Sequence, residues 1–200
     1  MQARHQVFAF CRNASQDLRS VRPKSIIENF DVTNQITMRV GLRSLDSAKL
    51  DWLIHVSGLL RPVTFSRFNQ SSLLEQFQVN AIGPVLTVQA FLPYLAQRSK
   101  IVILTSKLGS IKENVSGGSY GYRMSKSALN MAGKSMSEEL RPRGKTLFLL
   151  HPGFVKTDMT GFRGNINPAE SARAMIKIIS TKSLRDSGSF FNIDGTKLPW

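Results

Sequence analysis

The chain has 200 residues, 42% of them hydrophobic and 20% charged, enough apolar material for one substantial core and too much for a wholly disordered polymer. Lys and Arg number 27 against 13 Asp and Glu, a net charge of +14; this favours anionic partners such as phosphorylated cofactors, nucleic acid or membrane headgroups without choosing among them. A single cysteine, Cys11, excludes an internal disulfide, and the scattered His5, His55 and His151 form no cluster at zinc spacing, so metal-free chemistry is expected. No apolar run approaches the ~18 residues of a membrane span, and the segment from Met1 to Phe8 lacks a signal-peptide pattern; a soluble, cytoplasmic protein without a membrane span is expected.

In chain order, residues 7–11 and 25–30 read as strands, 39–45 as helix, 52–56 as strand and 73–95 as a long helical stretch. Residues 101–105 follow as strand, 122–140 as helix, 146–150 as strand, 168–179 as helix and 189–193 as a last strand. Asn167 is placed to cap the final helix, with Pro168 at its first position. Apolar runs alternating with helical patterns signify βαβ units, so the expected fold is α/β with a doubly wound parallel sheet buried on both faces. With no repeat and no Pro/Gly/Ser linker, residues 1–200 read as a single domain.

Ligands of such sheets sit beyond the carboxyl ends of the strands. Those ends read Arg12-Asn13, Asp31-Val32-Thr33, Ser57-Gly58, Ser106 and His151-Pro152-Gly153. Within the helix at 122–140, Tyr122 and Lys126 are four residues apart and share a face. A phenol ionises near pKa ~10, and acid/base work at neutrality asks for about three units less, roughly 4 kcal/mol, which a nearby cation in a low-dielectric site can supply. Alone, the pair is more often a surface-helix coincidence than an active site; Thr105-Ser106 upstream, at a strand end, and Asn80 in the preceding helix change its meaning.

Asn80, Ser106, Tyr122 and Lys126 together resemble the catalytic tetrad of the short-chain dehydrogenases/reductases. The resemblance extends through Val79-Asn-Ala-Ile-Gly-Pro84, Gly117-Gly-Ser-Tyr-Gly-Tyr-Arg-Met-Ser-Lys-Ser-Ala-Leu-Asn130 and His151-Pro-Gly-Phe-Val-Lys-Thr-Asp-Met-Thr-Gly161. Gly109-Ser110, Arg141-Pro142 and the ending Ser187 to Trp200 are similar to the C-factor-like group of that superfamily. The resemblance implies a Rossmann-like fold and an NADP cofactor, with NAD as the alternative. It implies that Tyr122 gives or takes the proton, Ser106 holds the substrate oxygen, Lys126 lowers the phenol pKa and binds the nicotinamide ribose, and Asn80 holds a relay water. Asn80 as a satisfied buried amide is the structural alternative.

The same resemblance assigns a cofactor contact to Gly58, the nicotinamide side to Pro152, Gly153, Val155 and Thr157, where a plain turn competes, and the adenine side to Asp31 and Val32, where a turn or cap competes. Arg12 stands where an acidic residue would receive a ribose 2′-hydroxyl, so it implies a 2′-phosphate unless it is only a surface arginine. Two features depart from the family. His55-Val56-Ser57-Gly58 replaces its Asn-Asn-Ala-Gly, and neither G-x-G-x-x-G nor T-G-x-x-x-G-x-G occurs. The chain is therefore expected to be N-terminally truncated relative to the family, missing its first strand and glycine-rich turn. That strand belongs between those at 7–11 and 52–56; without it a gap of about 9 to 10 Å and two unpaired edges are expected, and turnover is expected only with about 20 to 30 more residues.

Gly133-Lys134-Ser135 imitates a P-loop ending but lies inside a helical pattern. Two functions remain in view: an NAD(P)(H)-dependent oxidoreductase acting on a small carbonyl or alcohol, and a noncatalytic C-factor-like cell–cell signalling protein. Nucleic-acid binding is disfavoured, since the charges are scattered and no binding motif accompanies them. A homo-oligomer stays open: Met124, Ala128, Met131 and Met136 could line a helix-pair interface, with core the better single assignment.

Overall fold

Strand β5 (Thr146–Leu150) shows how side-chain alternation builds the layers of this protein. In the computed structural model, which describes residues 5–200, Leu147 and Leu149 enter one apolar cluster while Phe148 and Leu150 enter another. Neighbouring β4 (Leu95–Leu104) divides in the same way, Ile101 and Ile103 against Val102. Every one of these side chains is 0% exposed, the condition under which a parallel sheet reads as a continuous apolar run. Helices α2 (Gln35–Leu42), α4 (Gly83–Phe91) and α5 (Tyr120–Leu140) cover the first face through Met38, Val88, Phe91 and Leu129; α6 (Pro168–Thr181) covers the second through Ile178 and Ile179.

All ladders between strands are parallel, but they form two sheets. β1 (Phe8–Phe10) pairs with β2 (Ser25–Ile27), whereas β3 (Leu50–His55), β4, β5 and β6 (Phe190–Phe191) pair in that order. The Rossmann-like α/β reading holds, with the sheet divided between β1 and β3, where the sequence placed its gap. A cleft of about 1380 Å³ lies there, running from Val7 and Phe10 on one wall to Leu53 and Gly58 on the other. No helix among the described residues is long and apolar enough to cross a membrane.

Several element boundaries differ from the sequence reading for local reasons. The helix expected at 39–45 begins at Gln35, because Asn34 Oδ1 accepts the N–H groups of Ile36 and Thr37. A short α1 (Gln16–Ser20), capped by Ser15, was unanticipated; it buries nothing and so carries no apolar stripe. The stretch 73–95 is α3 (Gln70–Phe77), one π-helical turn at Gln78–Ile82, and α4, which ends at Phe91 just before Pro93. The strand read at 25–30 stops at Ile27, and Asn29 turns the chain at φ 58°. β4 starts at Leu95 rather than 101, and the last strand is two residues long. Pro168 opens α6, but the Asn167 side chain makes no capping hydrogen bond.

The core assignment of the α5 methionines holds for Met136, which packs against the first cluster, and is corrected for Met124 and Met131. Met124 and Met131 are 44% and 69% exposed, while Ala128 and Met136 are half-buried. The buried stripe of this helix is instead Gly121, Tyr122, Ser125, Lys126, Leu129, Asn130, Gly133 and Ser137, a largely polar face that the helix turns toward the sheet edge. Because Phe148 is sealed between β5 and α6, Phe148→Ala should lower the unfolding free energy by about 3 to 5 kcal/mol. Chemical denaturation measures this, and a loss under about 1 kcal/mol would contradict the packing described.

Candidate active site

The turn after β4 is bound to α5 by polar side chains. Thr105 N–H donates to Leu150 O at 3.0 Å, and Thr105 Oγ1 donates to Asn130 Oδ1 at 2.7 Å. Asn130 Nδ2 and Ser127 Oγ then both donate to Gly109 O, at 3.1 and 2.9 Å. Gly109 lies so close to the helix that a Cβ there would come within 2.8 Å of the Lys126 backbone. Ser106, Tyr122 and Lys126 are consequently held together, 7%, 8% and 3% exposed. Lys126 Nζ donates to Leu104 O at 3.0 Å and lies 5.8 Å from the centre of the Tyr122 ring.

Asn80 enters from the π-helical turn, fully buried. Its Oδ1 accepts Leu59 N–H at 2.7 Å, while its Nδ2 donates to Leu59 O at 2.7 Å and to Ser125 Oγ at 3.0 Å. Both amide hydrogens are thereby used, and the side chain braces the loop after Gly58 against α5. Gln76, one turn earlier, does the same for Arg61, accepting its N–H and donating to its carbonyl. Gly58 is thus fixed at the site: the position of an added Cβ would lie 3.7 Å from Asn80 Oδ1, 3.8 Å from Lys126 Nζ and 3.6 Å from Met159 Cε.

Burial dominates the electrostatics. It raises the Tyr122 pKa above the ordinary value, and the nearby Ser106 hydroxyl draws it back. Desolvation lowers Lys126 to about 8, which still leaves most of it charged at neutral pH. His55, at the end of β3, is lowered to about 4 by burial and by the Lys126 charge. His151 is lowered to about 4 by burial and by Lys107.

A loop after β5 closes the site. Gly153 takes φ 83°, which calls for glycine, and a Cβ would fall 2.5 Å from Ile166 Cδ1, the movable end of that side chain. Ser171 Oγ donates to Pro152 O, Val155 pairs with Ile166, and Thr160 Oγ1 donates to Val155 O. The Thr157–Thr160 turn delivers Met159 to Gly58. At the far side of the cleft, Arg12 is exposed beside Asp31 and lowers its pKa, though the hydrogen bonds from Thr33 lower it more. Thr33 N–H and Oγ1 both donate to Asp31 Oδ1, forming a turn. Val32 packs against Gly83 of α4 and borders the cleft together with Arg12, Asp31 and Gly58.

Sequence reasoning gave no role to Ser125, Asn130, Gln76 and Met159, and named Gly109 only for its resemblance to the C-factor-like group. Ser125 and Asn130 had a signal: with Tyr122, Lys126 and Leu129 they complete one helical face. Gln76 and Met159 act across long sequence separations and left none. Among the described residues, no three His, Cys, Asp or Glu side chains gather as metal ligands.

Residues 7–166 match the family described as short chain dehydrogenase, and the chain belongs to that family. It is 39% identical over 168 residues to C-signal of Myxococcus xanthus, covering 82% of this chain and 100% of that protein. It is 36% identical over 176 residues to the 1-hydroxy-2-glutathionyl-2-methyl-3-butene dehydrogenase of Rhodococcus sp. strain AD45, covering 85% of this chain and 78% of that one. Among solved structures, the carbonyl reductase Sniffer of D. melanogaster superposes with TM-score 0.88 at 32% identity, over 96% of this chain and 87% of its own. An NADPH-bound carbonyl reductase from chicken fatty liver gives TM-score 0.88 at 31% identity, with the same coverage.

The two depressed histidines make stability depend on pH. Unfolded histidine binds its proton near pKa 6.5, whereas His55 in the fold stays neutral down to about 4, so stability is lost as pH falls through this window. From pH 7 to pH 5 the unfolding free energy should drop by about 2 kcal/mol on account of His55, with His151 adding in the same direction. Denaturant titrations across that range should show the drop in the wild type and a shallower one in His55→Asn; equal slopes would contradict the assignment.

Proposed function

We propose that this chain is an NADP(H)-dependent oxidoreductase acting on a small carbonyl or alcohol, with Tyr122 handling the substrate proton. The observation that carries the reading is the convergence of Ser106, Tyr122 and Lys126, all nearly sealed, beside the side-chain-free surface of Gly58. That surface suits a nicotinamide ribose: a Cβ would fill the space bounded by Lys126 Nζ, Asn80 Oδ1 and Met159 Cε. The bound nicotinamide supplies or accepts hydride. Lys126 and Tyr122 hold its ribose, Gly153, Pro152, Val155 and Thr157 its carboxamide side, Asp31 and Val32 the adenine, and Arg12 a 2′-phosphate.

Chemically, Ser106 Oγ orients the substrate oxygen, and the Tyr122 phenol, protonated at neutral pH, donates to that oxygen during carbonyl reduction. In alcohol oxidation the same oxygen returns its proton to the phenolate, so oxidation is favoured by higher pH and reduction by lower. Burial raises the phenol pKa, and the smaller lowering against it comes from the Ser106 hydroxyl; Lys126, 5.8 Å from the ring centre, keeps the ribose as its role. Asn80 is a positioning residue, because its side chain holds the Gly58 loop and α5 in register. The oxidoreductase membership and the carbonyl reductase likeness support this reading.

A second reading, a noncatalytic C-factor-like signalling protein, rests on one observation: C-signal of M. xanthus is matched over 100% of its length. The two readings part at the phenol. In a version of the protein that turns over, for which about 20 to 30 more N-terminal residues are expected, Tyr122→Phe should lower carbonyl-dependent NADPH oxidation by about 10²-fold to 10⁴-fold with folding intact; undiminished turnover in the variant would sink the catalytic assignment. For the cofactor, calorimetry should show NADPH bound more tightly than NADH, and Arg12→Asp should reverse that order, since it removes a cationic fork and repels the 2′-phosphate. Equal affinities before and after substitution would mean that Arg12 has no part in the choice.

A further inference from the structure

β2 is the outer strand of its sheet and pairs on one side. Ser25 N–H donates to Val7 O, and Cys11 N–H donates to Ile27 O, in the parallel ladder with β1. Strand alternation then points the backbone groups of Lys24, Ile26 and Glu28 the other way, and among the described residues no ladder takes up that outer edge. Ile27 faces α2, where its Cγ2 lies 3.2 Å from the position of an added Cβ on Gly41. The Ile26 side chain therefore lies on the opposite face of the strand, where it is half-buried.

A groove of about 440 Å³ runs between this edge and α2, with Ile27, Ile36, Val40 and Ser44 in its lining. Ile36 and Val40 stand one helical turn apart and are 66% and 57% exposed. An open strand edge beside an exposed apolar pair is a template for another strand.

The charges along the edge select the strand. Lys24-Ser-Ile-Ile-Glu28 carries opposite charges at equal distances from Ile26. In-register parallel pairing with a copy would set Lys24 against Lys24, whereas antiparallel pairing centred on Ile26 sets each Lys24 against Glu28 of the other copy. Lys24 Nζ already donates to Gln6 Oε1, and Glu28 accepts from Ala14 N–H and Arg19 Nη2. An ammonium with three hydrogens and a carboxylate with about four lone-pair sites keep capacity for a further bond.

We propose that the open edge of β2 is a homodimer interface, in which the strand pairs antiparallel with β2 of a second copy about a two-fold axis at Ile26. Ile26 exchanges N–H···O bonds with its counterpart, and the two side chains meet on the face away from α2. The same axis brings the α2 helices of the two copies side by side and closes Ile36 and Val40 over the joint. Apolar closure and backbone bonds supply the affinity; the exposed charge pairs fix register and direction. This inference is independent of the oxidoreductase reading, and its test reads assembly rather than turnover.

Sedimentation equilibrium of the full chain should show a reversible monomer–dimer equilibrium. Lys24→Glu and Glu28→Lys should each raise the dissociation constant by about tenfold, since each sets like charges opposite one another at both ends of the joint. An equimolar mixture of the two variants should regain the wild-type value, because opposite charges then face each other again. In the wild type, amide exchange at Ile26 should slow by about tenfold or more as concentration rises through the dissociation constant, with Ser25, already bonded to Val7, unchanged. A chain that stays monomeric overturns the proposal. So does a mixture that dimerises no more tightly than either variant, or concentration-dependent protection at Met124 and Met131 of α5 in place of Ile26.

Discussion

A lysine ammonium with 3% exposure, bonded to the carbonyl of Leu104, is the constraint on which the arrangement of this protein turns. Withdrawing that charge from water costs about 3 kcal/mol, the equivalent of its fall to a pKa of about 8. The surroundings accept this cost because α5 is locked onto the end of β4. Asn130 and Thr105 fix the register, Gly109 admits the helix backbone at close range, and Ser125 ties Asn80 to the same face. A helix chosen for packing alone would present Met124 and Met131 to the sheet. This one turns them outward and buries a polar stripe, so the face that holds the chemistry also determines how the helix lies.

The second organising feature is the division of the sheet. β4 and β5 form a dry centre covered on both faces, which holds the Lys126 site rigid. β1 reaches the same apolar cluster through Phe10, beside Phe30 of the turn after β2 and Met38 of α2, but no backbone ladder joins it to β3. The two ends assigned to a dinucleotide, Gly58 on one wall and Arg12 with Asp31 on the other, therefore share a cleft without sharing a sheet. Loop geometry at Gly153 and the Thr157–Thr160 turn brings Met159 over Gly58, giving the cleft a soft, adaptable boundary at its reactive end.

Much of this was legible in the sequence where the signal is local. Thr146–Leu150 was placed without error because five consecutive apolar or β-branched residues admit little else, and the Tyr122–Lys126 face followed from helical spacing. Boundaries set by single side chains were harder: Asn34 starts α2 and Asn29 ends the second strand, neither inside an apolar pattern. The π-helical turn at Gln78–Ile82 was invisible, as was the long-range engagement of its Asn80 with Leu59 and Ser125. Asn80 also illustrates how a residue type suggests a role that geometry then specifies, here bracing the Gly58 loop. Met124 and Met131 of α5 were misplaced, unlike Met136, because periodicity identifies a face but not which face a functional site claims.

The central claim is that the site is organised by a buried, desolvated Lys126 ammonium, and its pKa tests that claim most directly. NMR titration of the Lys126 side chain, assigned by its loss in Lys126→Met, should give a midpoint of about 8 in the folded chain. A midpoint at the ordinary lysine value of about 10.4 would show the ammonium to be solvated and would contradict the account.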